Sequence, residues 1–172
     1  PYEAVAWLVL FGNPPDADEL RWLGDFFRRE GALGEADSVL LKALPRDLHP
    51  MQALQAMIPA LSARLSPGGT GPSDTPGDLV LPGVIDEEAL RGLVLVARLP
   101  AVVAAYHAHA ENRALPGTCL ADRSALANFL CAFTGIVPDV ATERAFSVTQ
   151  ILQMEHSFNA GTFAARVVAS TL

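Results

Sequence analysis

Residues 86–111 read DEEALRGLVLVARLPAVVAAYHAHAE, and this stretch decides the fold class. Its apolar residues recur at the spacing of one face of an α-helix. Asp86 is placed to cap the first turn, and the acidic residues that follow it match the helix dipole. Pro100 is expected to bend the helix. The stretch therefore predicts one long helix from Asp86 to about Glu111.

The same helical period runs through most of the chain, and no segment alternates apolar and polar residues as a half-buried strand does. Either Asp16 or Asp18 is expected to cap the second helix, and His49 with Pro50 opens another. Further helices are predicted over about 2–11, 16–30, 36–43, 49–65, 124–133, 138–152 and 159–172. The predicted fold class is therefore all-α, with about eight helices.

The predicted organisation is a single helical domain over residues 1–172. Residues 66–83 are rich in Gly, Pro, Ser, Thr and Asp and are expected to form a flexible loop. Two helices carry apolar sets that we expect to face the core. These sets are Met51, Leu54, Met57, Ile58, Leu61 and Leu65 in one, and Ala145, Phe146, Val148, Ile151 and Leu152 in the other.

Composition excludes several classes of protein. The chain has 172 residues, of which 51% are hydrophobic and 18% charged, so intrinsic disorder is excluded. The net charge of −7 argues against nucleic-acid binding. Apolar runs such as residues 4–11 are too short to cross a bilayer, and no signal peptide is recognised, so a cytoplasmic location is expected. The mean hydropathy of +0.28 suggests that another subunit or further chain covers some apolar surface.

Cysteine and histidine are the residues most able to carry chemistry in this sequence. For Cys119 and Cys131, two buried thiols are favoured over a disulfide. His107 and His109 are two apart on a helix and cannot easily share a metal, so solvated or capping roles are expected and no metal site is predicted. A hydrogen bond to the turn is favoured for His49.

His156 lies in the stretch 151–163, which is a short polar island between two apolar helical stretches. An imidazole there can donate a hydrogen bond to a carbonyl or carboxylate, and N–H groups of the following helix can add to it. The residues alone leave two interpretations open for His156, contact with a ligand or a role at a helix junction.

Five stretches, in order along the chain, resemble the citrate synthase family. They are YEAVAWL with its following Phe11-Gly12, LPRDLHPM at 44–51, LPAVVAAYH at 99–107, NFL at 128–130 with Thr134-Gly135 and Pro138-Asp139, and 153–172. The resemblance implies an almost entirely helical, homodimeric acyltransferase of the tricarboxylic acid cycle. Such an enzyme joins acetyl-CoA, or another acyl-CoA, to oxaloacetate. The acyl-CoA is a co-substrate, and no tightly bound cofactor is implied.

The resemblance also implies which helices pair across the dimer interface, namely those at 49–65, 86–111 and 159–172. It covers roughly half of a family member, the first part of the large domain. The family's Gly-x-x-His-Gly-Gly and Gly-His-Arg elements and its catalytic aspartate do not occur in the 172 residues. No catalytic residue is therefore assigned, and the missing C-terminal half is a second expected partner.

The family pattern His-x-Asp-His-Glu-x-Asn is only partly kept. By resemblance, His156 and Asn159 match the histidine that contacts oxaloacetate and the asparagine. Gln153, Glu155 and Ser157 replace the first histidine, the aspartate and the glutamate. We therefore expect a condensing-enzyme domain that is not catalytically competent alone. The alternative is a non-catalytic domain for dimerisation or partner binding.

Overall fold

The computed structural model describes residues 1–63, 83, 85–117, 123–154 and 169. Within them the chain forms helices and no strand, so the all-α prediction is confirmed. The helices are α1 (Tyr2–Phe11), α2 (Ala17–Glu30), α3 (Glu35–Ala43), α4 (Pro50–Ala63), α5 (Glu87–Ala110), α6 (Ala125–Thr134) and α7 (Val140–Gln153). The predicted loop at 66–83, apart from Gly83, and the predicted last helix at 159–172, apart from Ala169, lie outside the described residues.

Helix ends follow the local signals in the sequence. Asp16, not Asp18, caps α2, and the backbone N–H of Asp16 donates in return to the Glu19 carboxylate, which completes a capping box. Gly12 and Gly135 end α1 and α6 with φ of 77°, in the left-handed region that glycine adopts without strain. These short-range contacts explain why the predicted boundaries agree closely with the observed ones.

Helix α5 is central and packs against α2, α3, α4 and α6. Its first half joins a cluster of buried residues with α1 and α2, through Leu93, Val94 and Ala97. Its second half joins another cluster with α3 and α4, through Val102, Ala105 and Tyr106. The core is therefore two apolar clusters arranged along one helix.

A buried ion pair lies where these two clusters meet. The side chains of Arg98 and Glu30 are 3% and 12% exposed, and Arg98 Nη2 lies 2.9 Å from Glu30 Oε2. Arg98 Nε also donates to the Glu30 backbone carbonyl, 3.3 Å away, at the C-terminal end of α2. One arginine thus neutralises a carboxylate and satisfies a helix-terminal carbonyl that the helix itself leaves unpaired.

Residues Glu88–Ala110 of α5 are long and apolar enough to cross a membrane by length and composition alone. The sequence prediction considered only uninterrupted apolar runs, so it did not single out this segment, in which Arg91, Arg98 and Pro100 interrupt the apolar sequence. In the structure α5 lies between four other helices, which is the position of a core helix.

Several apolar side chains are more exposed than the sequence predicts. Met51 and Ile58 of α4 are 56% and 36% exposed, although both were expected to face the core. In α7, the residues expected to face inward are only half-buried. Other exposed apolar side chains are Leu8, Val9 and Leu10 of α1 and Ile136, Val137 and Val140 before and at the start of α7. These residues locate the surplus apolar surface that the composition predicts.

Candidate functional site

The predicted oxaloacetate motif begins at the C-terminal end of α7. Gln153 is the last residue of α7 and is exposed, and the backbone N–H of Met154 bonds back to the carbonyls of Ile151 and Leu152. His156 and Asn159, together with Glu155 and Ser157, lie outside the described residues. Their predicted roles therefore stay predictions, and the structure describes the helix that leads to them.

The N-terminus of α7 is held by a carboxylate cap. Asp139 Oδ1 accepts a 2.7 Å hydrogen bond from the backbone N–H of Thr142. This backbone hydrogen bond is the main reason why the pKa of Asp139 lies below its ordinary value. Asp139 is therefore an ionised cap at neutral pH, where a negative charge also favours the helix dipole.

A polar cluster of Glu3, Arg123, Ser124 and Glu143, here called the α6 entry cluster, joins α7 to α1 and α6. Ser124 Oγ donates to Glu143 Oε1 at 2.5 Å, and Arg123 Nη2 donates to Glu143 Oε2 at 2.6 Å. The Ser124 hydrogen bond is the main cause that lowers the pKa of Glu143, and Arg123 lowers it further. The buried carboxylate of Glu3 accepts from the backbone N–H of Ala125 at 3.3 Å.

Glu143 in the α6 entry cluster is poorly suited to abstracting a substrate proton. Both Glu143 oxygens accept hydrogen bonds and the carboxylate stays ionised at neutral pH, so it is a poor general base. The α6 entry cluster instead fixes how α7 packs against α6. Sequence reasoning missed the cluster because Glu3 and Ala125 are 122 residues apart, and only the Ser124 cap was a local signal.

Aromatic contacts support the same arrangement. The rings of Phe129 in α6 and Phe146 in α7 stack with centroids 5.6 Å apart, and the ring of Phe133 packs against Phe129 in a tilted arrangement at 5.7 Å. Such pairs add to the apolar area that they bury. The direction in which α7 presents Gln153 is therefore determined by aromatic stacking together with the α6 entry cluster.

The structure assigns structural contacts to the described histidines. His109 is buried, and its Nε2 lies 2.9 Å from the carbonyl oxygen of Leu44, the C-cap residue of α3. The expected capping role is thus confirmed for His109. The alternative, a solvated side chain, is wrong for His109, because this residue is buried on the central helix α5. His107 stacks on Phe133 at 4.1 Å, with Nε2 3.6 Å from the Glu111 carboxylate. The described part of the chain contains no group of three residues able to hold a metal ion.

Two of the stretches that carry the resemblance meet in space. Tyr106, in the stretch 99–107, reaches the connector between α3 and α4, which belongs to the stretch 44–51. Its hydroxyl donates to the carbonyl oxygen of Leu48 at 2.6 Å and lies 3.0 Å from the carbonyl oxygen of Pro45. His49 hydrogen-bonds the start of α4, as predicted.

Cys131 carries a free thiol, but it is half-buried rather than buried, and Cys119 lies outside the described residues.

Comparison with known proteins agrees with this arrangement. A family model described as "Citrate synthase, C-terminal domain" matches residues 1–172. The chain belongs to the citrate synthase family. Among curated members, it is 32% identical over 170 residues to "Citrate/2-methylcitrate synthase" of Bacillus subtilis, covering 99% of this chain and 42% of that protein. It is 34% identical over 176 residues to "2-methylcitrate synthase" of Mycobacterium tuberculosis, covering 99% and 39%.

Solved structures of the citrate synthase family share the fold. Citrate synthase from Pyrobaculum aerophilum matches with a TM-score of 0.66 and 30% identity, over 99% of this chain and 41% of that one. Citrate synthase from Thermotoga maritima matches with a TM-score of 0.63 and 25% identity, over 99% and 40%. The chain thus spans about two fifths of the family members that it matches, rather than the half that the motifs suggested.

Proposed function

We propose that this chain supplies part of the helical scaffold and the oxaloacetate contacts of an enzyme that condenses an acyl-CoA with a 2-oxoacid. The observation that carries the proposal is the family match over all of residues 1–172. The curated relatives are named citrate synthase or 2-methylcitrate synthase, so acetyl-CoA or another acyl-CoA is the proposed co-substrate. His156 is proposed to donate a hydrogen bond to oxaloacetate, with Asn159 beside it. A single domain and a cytoplasmic location are part of the same proposal.

The chain is proposed to need further sequence for catalysis. Acid–base condensation requires a positioned proton acceptor and donors that stabilise the enolate oxygen. Of the described carboxylates on α7 and at its cap, Asp139 caps the helix and Glu143 is held by Arg123 and Ser124, so neither is free to act as the proton acceptor. The remaining part of a family member is the proposed source of these groups.

The enzymatic proposal is tested by assaying CoA release from acetyl-CoA and oxaloacetate. The assay is run with this chain alone and with any longer protein that contains it. We expect turnover by the longer protein and none by this chain. Robust turnover by the chain alone would contradict the proposed need for further sequence.

A homodimer is proposed through the helices at 49–65, 86–111 and 159–172. Support comes from α4, where Met51 and Ile58 are exposed and no residue of Pro50–Ala63 is charged. Apolar faces of this kind are typical of subunit interfaces. Sedimentation should show a dimer that Ile58→Glu weakens. Val39→Glu, at a 63% exposed apolar residue of α3, is the matched control and should leave it intact. A strict monomer at micromolar concentration would refute the dimer.

A second candidate is a non-catalytic domain that mediates dimerisation or partner binding. The substitutions at Gln153, Glu155 and Ser157 favour it, because they remove groups that the family pattern keeps. Calorimetric titration with oxaloacetate separates the two candidates. Binding that disappears in His156→Ala supports the enzyme. Absence of binding, restored in Gln153→His, supports an eroded site, and Gln153 tolerates the change because it is exposed at the end of α7.

A further inference from the structure

The start of α7 is clamped by Arg123, which lies just before α6. Arg123 Nη2 donates to the Glu143 carboxylate at 2.6 Å and to the carbonyl oxygen of Pro138 at 3.1 Å. Pro138 immediately precedes the Asp139 cap, and Glu143 lies in the first turn of the helix. One guanidinium group therefore holds the entry of α7 at two points.

The clamp is itself attached to the start of α6. The side chain of Asn128, a buried residue of α6, donates from Nδ2 to the backbone carbonyl of Arg123 at 3.3 Å. Ser124, the N-cap of α6, donates to Glu143 Oε1 at 2.5 Å, while Arg123 takes Oε2. Because both oxygens of one carboxylate are bonded to fixed donors, the contact defines the direction of α7 as well as its distance from α6.

The rest of α7 is less firmly held than its first turn. The stack of Phe146 on Phe129 comes from the turn that follows Glu143, and none of the residues Val140–Gln153 is buried. From Glu143 to Gln153 the helix rises about 15 Å, so a rotation of about 10° at the clamp moves Gln153 by about 3 Å. A displacement of that size is enough to break a hydrogen bond to a ligand.

We propose that Glu143 is a positioning residue for the oxaloacetate motif that begins at Gln153. Glu143 acts through Arg123 and Ser124, which fix the direction of α7, and not by contact with a substrate. The inference rests on the proposed function, in which His156 contacts oxaloacetate. Binding groups must be held within about 0.5 Å of their working positions, so an anchor at the opposite end of the helix affects the affinity for the 2-oxoacid.

The direction of α7 is tested first, without any ligand. Residual dipolar couplings of the backbone amides give the angle between α7 and α5 in the whole chain. Glu143→Ala removes both acceptors and should rotate α7 by about 10°. Glu143→Gln keeps a side-chain carbonyl oxygen and should rotate α7 less. Tyr106→Phe is the control for lost stability, because it removes a hydrogen bond between α5 and the connector of α3 and α4, and it should leave the angle unchanged.

The affinity for oxaloacetate is tested next, by calorimetric titration of the same variants. Glu143→Ala should weaken binding about tenfold, Glu143→Gln should weaken it less, and Tyr106→Phe should leave it unchanged. A role of Glu143 in stability alone would not produce this order, because Tyr106→Phe also destabilises the folded chain. Urea denaturation of each variant confirms that the protein titrated is folded.

Two results would overturn the positioning role. One is an unchanged angle between α7 and α5 in Glu143→Ala. The other is a change of angle or of oxaloacetate affinity in Tyr106→Phe as large as that in Glu143→Ala. Failure of the proposed function gives a different result, since the unmodified chain would then not bind oxaloacetate at all. In that case the dipolar couplings still decide whether Glu143 sets the position of Gln153.

Discussion

The hydroxyl group of Tyr106 donates a 2.6 Å hydrogen bond to the carbonyl oxygen of Leu48. This contact ties the central helix α5 to the connector between α3 and α4. The same hydroxyl lies 3.0 Å from the carbonyl oxygen of Pro45. A buried tyrosine thereby satisfies the Leu48 carbonyl, a backbone acceptor outside the regular helices.

Tyr106→Phe should therefore destabilise the chain by about 1–2 kcal/mol, because it leaves the partly buried carbonyl of Leu48 without this donor. Urea denaturation at neutral pH measures the change. Tyr2→Phe is the matched control, since Tyr2 is also partly buried but its hydroxyl makes no hydrogen bond with the described residues. Equal effects of the two substitutions would show that the Tyr106 hydroxyl contributes nothing specific.

The pair formed by Arg98 and Glu30 should be strongly sensitive to loss of one partner. Arg98→Ala leaves a carboxylate that is 12% exposed without its counter-charge, and we expect a loss of about 3 kcal/mol. Arg28→Ala breaks an exposed pair with Asp25 in the same helix and should cost about 0.5 kcal/mol or less. Thermal or urea unfolding compares the two, and a similar small loss in both would contradict the importance of burial.

Helix ends were predictable from the sequence because caps are local. Asp16 and Gly12 each act within a few residues, and so do the caps of α5, α6 and α7. The core-facing side of α4 was only partly predictable. In a helix without charged residues, periodicity does not distinguish the buried Met57 from the exposed Met51 and Ile58.

Long-range polar contacts were not predictable. Glu30 and Arg98 are 68 residues apart, and no local pattern marks them as partners. The same holds for the α6 entry cluster that positions α7. At the candidate site, the assignment of His156 and Asn159 depends on the family resemblance. The residues alone left His156 open between a ligand contact and a helix junction.

Two glycines should respond oppositely to alanine. Gly12 has φ of 77° with open space around its Cβ position, so Gly12→Ala suffers only backbone strain, and we expect a loss of about 1 kcal/mol. Gly92 lies within α5 with equally open space and no left-handed φ, so Gly92→Ala should stabilise by about 0.5–1 kcal/mol. Denaturant midpoints measure both, and the same sign in both would refute the assignment of strain to Gly12.

The acid stability of the chain should depend on Glu143. Its pKa is lowered in the folded state, chiefly by the Ser124 hydroxyl and then by Arg123, so folding favours the ionised carboxylate. A lowered pKa gives stability that is complete above the unfolded-state pKa. That stability is lost as the pH falls through the folded-state pKa, which lies below the ordinary value of a glutamate.

Glu143→Gln removes this titration, so the unfolding midpoint should be lower at neutral pH and should fall less steeply below about pH 5. Ser124→Ala removes the largest cause of the shift and should give an intermediate slope, in addition to a loss of about 1 kcal/mol from the missing cap of α6. Thermal unfolding from about pH 7 to pH 3 measures these slopes. A slope in Glu143→Gln equal to that of the unmodified chain would show that another carboxylate controls acid unfolding.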